Sequence, residues 1–197
     1  GAPETCQVWV ARGTYYVHES GPTDTVLLRA GVQIYGGFAS TEVDLSERDC
    51  VANVTRIHGA NGPDESARVN HVITGANASL VDGFIVEGGS AQGAATDANG
   101  GAMICHGTSP TMQGCILRNN QAAASGGAIA ALEGSEPVVQ SCLFTANSAV
   151  TDGGAIHVDG GAVDIVGCIF AGNSASDDGG GVSVCNGASL TLESSVF

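Results

Sequence analysis

Gly126-Gly127-Ala128-Ile129 opens a stretch that closes on Cys142-Leu143-Phe144-Thr145-Ala146-Asn147. The same pattern returns at Gly153-Gly154-Ala155-Ile156 and Cys168-Ile169-Phe170-Ala171-Gly172-Asn173. Reading outward, an earlier unit carries Gly100-Gly101-Ala102-Met103, Cys115, Leu117 and Asn120, and a later one carries Gly179-Gly180-Gly181-Val182, Ser195 and Phe197. The spacing is 26 or 27 residues throughout, and Met112, Val139, Ile165 and Leu192 fall into the same alignment, as do Ala122, Ala149 and Ala175. A fixed period of this size marks a stack of like units, none of which buries its apolar face alone. Within a unit the apolar residues alternate over short runs, as in Ile156-His157-Val158, and no stretch holds a helical period. Short strands broken by Gly, Asn, Ser and Asp turns are therefore expected.

One turn of coil per unit places like residue over like at the roughly 4.8 Å spacing of neighbouring strands. The expected architecture is all-β: a single-domain, right-handed parallel β-helix, the hand following from the chirality of parallel crossovers. Residues 1–69 read as a less regular start or cap with loops, and residues 70–197 as regular rungs. Inward columns are predicted at Met103/Ile129/Ile156/Val182 and at Cys105/Ala131/Val158/Val184. A thiol column follows at Cys115/Cys142/Cys168, continued by Ser195, with an aromatic column through Phe144 and Phe170. Asn120, Asn147 and Asn173 are expected to stack at a bend with their amides bonded up and down the ladder. Ser40 to Asp49 reads as the one short helical turn, capped by Ser40 or Thr41.

Composition narrows function. The chain of 197 residues carries 20 acidic residues against 6 basic, a formal charge of −14, and all six basic residues are arginine. A nucleic-acid partner needs a basic stripe and is excluded on this count, and polyanionic sugars are weakly disfavoured; cation binding and an extracellular setting are favoured. No apolar run is long enough to span a membrane. The sequence opens without a charged-then-apolar leader and stops at Phe197 partway through a unit, which reads as a piece of something longer or a chain whose signal has been removed. Seven cysteines cannot all pair internally. Cys6 and Cys50 are the expected bridge, while Cys105 falls on an inward column and Cys185 at an exposed turn.

Chemistry-bearing constellations are sparse. The glycine pairs are not phosphate loops, since no lysine exists to complete one. Asp152 and Asp178, each just before a glycine pair, would meet across neighbouring turns and are the candidate metal ligands, with calcium the cofactor they would suit. The five histidines, His18, His58, His71, His106 and His157, show no zinc spacing. His157 lies between inward Ile156 and Val158 and is expected to face solvent. Arg118 is the sole basic residue of the regular units and is expected to point outward alone. Glycosidic hydrolysis needs two carboxyl groups at a set separation; Asp159 with Asp164, or Asp177 with Asp178, are the pairs available. The outward residues form no uniform threonine ladder of the kind that recognises ice.

The Gly-Gly-Ala-Ile motifs at 126 and 153, with Phe144-x-x-Asn147 and Phe170-x-x-Asn173, resemble the chlamydial polymorphic outer membrane protein repeat. Val8 to Tyr15, Gly31 to Phe38, Glu47-Arg48-Asp49, Leu80 to Phe84 and Ser109 to Leu117 are similar to large bacterial surface proteins with a pectin-lyase-like β-helix. The resemblance implies a secreted or cell-surface protein, adhesive or architectural, without catalytic residues. The resulting expectation is a non-catalytic extracellular scaffold on a bacterial cell surface, self-associating into fibres or binding a host or neighbouring cell surface or a glycan. The alternative is a lyase or hydrolase acting on acidic polysaccharides. Any adhesive surface would be built from outward residues and the enlarged loops at 18–25, 60–69 and 88–99.

Overall fold

The computed structural model describes residues 6–197; the first five residues of the 1–69 segment lie outside it. The chain winds along four walls, each a parallel sheet; the first two turns have strands in three of them, and the remaining wall joins from Ser90 onward. The first wall has seven strands and counts the turns: Gln7–Ala11, Gln33–Phe38, Leu80–Asp82, Thr111–Gln113, Val138–Gln140, Ala162–Val166 and Ser189–Glu193. The second holds Gly13–Tyr16, Thr55–His58, Ile85–Glu87, Ile116–Arg118, Leu143–Thr145 and Ile169–Ala171. The third is a narrow ribbon of two-residue strands from Ser90–Ala91 to Ser174–Ala175. The fourth runs from Val26–Leu27 through Ile73–Thr74, Met103–His106, Ile129–Leu132 and Ile156–Asp159 to Val182–Cys185. The result is a right-handed β-helix in a single domain.

The predicted columns are present. Met103 pairs with Ile129, Ile129 with Ile156 and Ile156 with Val182, and Cys105, Ala131, Val158 and Val184 keep the same register. A one-residue slip would turn every apolar side chain of a strand outward, so the burial of alternate residues locks the register. Phe144 and Phe170 stack at 4.7 Å between centroids and 4° between planes, and Phe170 stacks on Phe197 at 4.5 Å. Asn147 shows how a buried amide is satisfied: its Nδ2 donates to Asn173 Oδ1 and to the Leu117 carbonyl, both at 2.9 Å. Its Oδ1 accepts from Asn120 Nδ2 at 3.1 Å and from the Asn120 amide at 3.2 Å.

The glycine pairs have two separate causes. Gly126 adopts φ +68, a left-handed corner, whereas Gly127 has no such torsion but a Cβ there would lie 2.3 Å from the Gly154 carbonyl oxygen of the next turn. Other corners are left-handed without glycine: Ser141 at φ 52 and Ala146 at φ 53.

Three expectations are corrected. All seven cysteines are free: Cys6 is exposed at the start of the first strand, while the Cys50 thiol is enclosed by glycine backbone, so close that a Cβ on Gly37 or Gly83 would come within 2.7 or 2.5 Å of it. The short 3-10 helix spans Leu45–Glu47 and its cap is Asp44, which takes the Ser46 amide at 2.8 Å in a capping box with Glu47. Ser40 has φ 77, outside the extended region a cap residue needs. Cys185 ends a strand of the fourth wall and is half-buried rather than at an exposed turn.

Candidate functional site

Alternation on the second wall sends Ile57, Val86 and Leu117 into the core and leaves His58, Glu87 and Arg118 as an outward row in direct register. Arg56 projects from the same face two residues before His58. The loop 60–69 folds back over this row through an antiparallel bridge between Ala60 and Arg68. It is held by Asn61, which accepts the Ala67 amide at 3.2 Å and donates to Ser66 at 3.0 Å. That closure brings Glu65 and Arg68 against His58, and the walls enclose a cleft of about 340 Å³ bordered by Asn119.

His58 is the fixed point of the cleft. Its Nδ1 accepts the Ala60 amide at 3.1 Å, so the ring proton sits on Nε2, which faces Glu65 Oε1 at 3.3 Å. The ring lies over Gly88, where a Cβ would approach His58 Cε1 to 2.4 Å, and Tyr16 flanks it with centroids 5.5 Å apart. Glu65 takes Arg68 on its other oxygen. Glu87, 7% exposed, lies between two guanidiniums: Oε2 accepts from Arg118 Nε at 2.5 Å and Oε1 faces Arg56 Nε at 3.6 Å. Arg118, expected to stand alone, is thus an ion-pair partner, because in-register stacking sets it directly beside Glu87 of the preceding turn. Sequence spacing hid this partner, which lies 31 residues away.

Every carboxylate oxygen in the cleft therefore faces an intramolecular donor, the His58 N–H or an arginine. What remains free is donor capacity on three partly exposed guanidiniums, Arg56, Arg68 and Arg118. Half of the chain's six basic residues gather here, on a molecule whose net charge is −14. An arrangement of this kind recognises an anionic group by paired N–H donors rather than exchanging protons with it.

The sequence-predicted residues lie elsewhere. Asp152 and Asp178 sit at the corners before their glycine pairs, and Asp152 Oδ1 accepts the Asp178 amide at 3.2 Å. Asn99 does the same for the Ser125 amide at 3.0 Å, so this position links one turn to the next. Among the described residues no three His, Cys, Asp or Glu side chains converge in a metal-binding group, these two included. Cys115, Cys142 and Cys168 form the inward thiol column, with Cys168 Sγ 3.4 Å from the Cys142 amide. Hydrogen bonds from Cys115 and Cys168, together with burial, push the Cys142 thiol well above its usual range. Burial alone pushes Cys105 up to about 12. The hydrogen bond with Cys142 pulls Cys168 the other way, down to about 7, but none of these four thiols is more than 2% exposed, so they are core side chains closed to substrate.

His157 is 7% exposed and not in solvent as expected. Glycine-pair corners fold across the outside of the fourth wall; a Cβ on Gly153 would lie 3.0 Å from the His157 amide. Alternation predicts which side of a wall a residue takes, but not that the chain itself covers that side. Its Nδ1 has no partner, and Nε2 lies 3.9 Å from Cys185 Sγ. Burial holds its pKa below the usual value of 6.5 against the opposing pull of Asp152 and Asp159.

Four walls of parallel strands, inward ladders and a cleft on one outer face define a parallel β-helix protein. A family profile described as the right handed beta helix region matches residues 31–197, and the chain belongs to that family. Neither a curated protein nor a solved structure shows a significant match.

Proposed function

We propose that this chain is a non-catalytic scaffold of the surface-adhesin or matrix type, which presents its loop-built cleft to an acidic glycan on a host or neighbouring cell. The observation that carries this reading is the commitment of all four carboxylate oxygens of Glu65 and Glu87 to His58 and three arginines. An acid–base catalyst needs a carboxyl group free to exchange a proton with substrate, within hydrogen-bond reach of it. Extracellular exposure on a bacterial surface belongs to the same proposal and is supported by the acidic composition and the repeat motifs. Association of copies end to end into fibres is part of it too and is supported by the repeat itself, in which each turn presents the next with a like surface. A glycan array probed with the chain tests the reading: binding to uronate- or sulfate-bearing glycans that Arg68→Ala and Arg118→Ala each weaken is the expected result. Binding indifferent to both variants would remove the cleft from the proposal.

The second reading is a lyase or hydrolase acting on acidic polysaccharides. It is favoured by one feature, the convergence of His58, two glutamates, Arg68 and Arg118 in a single cleft, with Arg56 facing Glu87. Incubation with polygalacturonate, alginate and pectin separates the two. Unsaturated or reducing ends that disappear with Glu87→Gln would establish the enzyme, and their absence is what the scaffold reading expects.

A further inference from the structure

A second cleft, on a different wall, is built from the other two enlarged loops. Thr25 comes from the loop before Val26–Leu27, and Thr96 and Asp97 from the 3-10 helix Ala95–Ala98; they meet His71, Thr74 and His106 around about 290 Å³. The Ile104 side chain contributes the apolar part of its lining.

Its hydrogen-bond character leans toward acceptors, with the Asn70 side-chain amide a donor among its lining groups. His71 Nδ1 lies 3.0 Å from the Gly100 carbonyl oxygen, which can only accept, so Nδ1 carries the proton and Nε2 of the neutral ring offers a lone pair. That Nε2 faces Asp97 Oδ1 at 3.7 Å, beyond hydrogen-bond reach. Two acceptors thus confront one another across a gap. His106 repeats the arrangement: its Nδ1 lies 3.0 Å from Glu133 Oε2, which leaves its Nε2 as an acceptor too. Thr25 and Thr74 add hydroxyls 3.0 Å apart.

The gap is held open by backbone. Asp97 is seated by hydrogen bonds from the Gly93 amide to its carbonyl at 3.3 Å and from its own amide to Ala94 at 3.1 Å. A Cβ at position 93 would fall 2.4 Å from Asp97 Cβ, so the seat requires glycine. No arginine lines this cleft, in contrast to the first, so it lacks the paired guanidinium donors that hold an anion.

A cleft that offers acceptors and hydroxyls beside an apolar side chain is matched by a neutral ligand rich in donors. We propose that it binds a neutral saccharide, with adjacent sugar hydroxyls donating one to His71 Nε2 and one to Asp97, and a C–H face of the ring resting on Ile104. The volume lies near the lower end of ligand pockets, about 300 Å³, and admits a single ring. This site stands apart from the acidic-glycan reading, since it shares no residue with the arginine cleft.

The test uses the full chain, isotope-labelled, with the imidazole nitrogens of His71 followed by NMR. Methyl glycosides of mannose, galactose and glucose, and zinc chloride, are the probes. The expected result is a saturable shift of His71 Nε2 with at least one glycoside, at least about tenfold weaker in Asp97→Ala, as loss of a hydrogen bond to a charged group implies, and unchanged in Arg118→Ala. Asp97 is half-exposed on its short helix, so an unaltered thermal midpoint distinguishes loss of binding from loss of fold. No glycoside-dependent shift, a shift of undiminished affinity in Asp97→Ala, or a response to zinc alone would each overturn the proposal.

Discussion

Residues 100–197 and residues 6–99 share three walls, the narrow ribbon entering the earlier half only at Ser90–Ala91, and they use their side chains differently. In the later half the chemistry faces inward: an amide ladder, an aromatic stack and a thiol column, each joining one turn to the next. In the earlier half the turns are lengthened by loops at 18–25, 39–53, 60–69 and 88–99, and both polar clefts are lined by residues from these insertions. The difference shows that regular recurrence builds the shaft, while interruptions of it build recognition surfaces. Loops carry binding groups because they are free of the packing constraints that fix the rungs.

This contrast can be broken by substitution. Phe144→Ala removes the middle of a buried stack and should cost about 3–5 kcal/mol in denaturant unfolding; a loss under about 1 kcal/mol would show that the column is dispensable. Asn147→Ala strands the Asn120 backbone amide and removes a donor from the Leu117 carbonyl, while Asn173 Oδ1 keeps the backbone amide of residue 147, for about 3 kcal/mol. Ala146→Gly relieves an L-residue held at φ 53 and should stabilise by about 1 kcal/mol, read as a raised melting temperature. In the earlier half, Glu65→Ala breaks only partly exposed ion pairs and should cost less than about 1 kcal/mol.

The smallest effect concerns pH. His157 has its folded pKa below the unfolded value of 6.5, so on acidification the unfolded chain takes up a proton first. Its contribution to stability is whole above 6.5 and is lost as pH falls from there toward the folded pKa. His157→Phe should flatten that part of the acid-side decline in denaturant midpoint. An unchanged slope would show that His157 is solvated in solution.

The columns through Ile129, Cys142, Phe144 and Asn147 were legible in the sequence because each recurs at a fixed spacing, and in a coil fixed spacing is spatial adjacency. The aspartates at 152 and 178 recur in the same way, which drew notice to them, although their recurrence reflects turn-to-turn bonding. The clefts were legible only as loops. His58, Glu87 and Arg118 stand in register, but loops lengthen the turns between them and Glu65 arrives on one of those insertions, so no fixed period marks the group; Gly88 gives a hint only once His58 is seen lying over it. The cover over His157 was hidden for a related reason: alternation assigns sides to a strand but says nothing of chain that wraps the outside.

The interchangeable spacing of 26 or 27 residues carries a consequence for how such a molecule changes size. Each turn offers the next nearly the same surface that it received from the one before, so a whole turn can be inserted or excised with both neighbours still matched. Reach along the axis is therefore adjustable in steps of one strand spacing, while the recognition surfaces near the other end are left as they were.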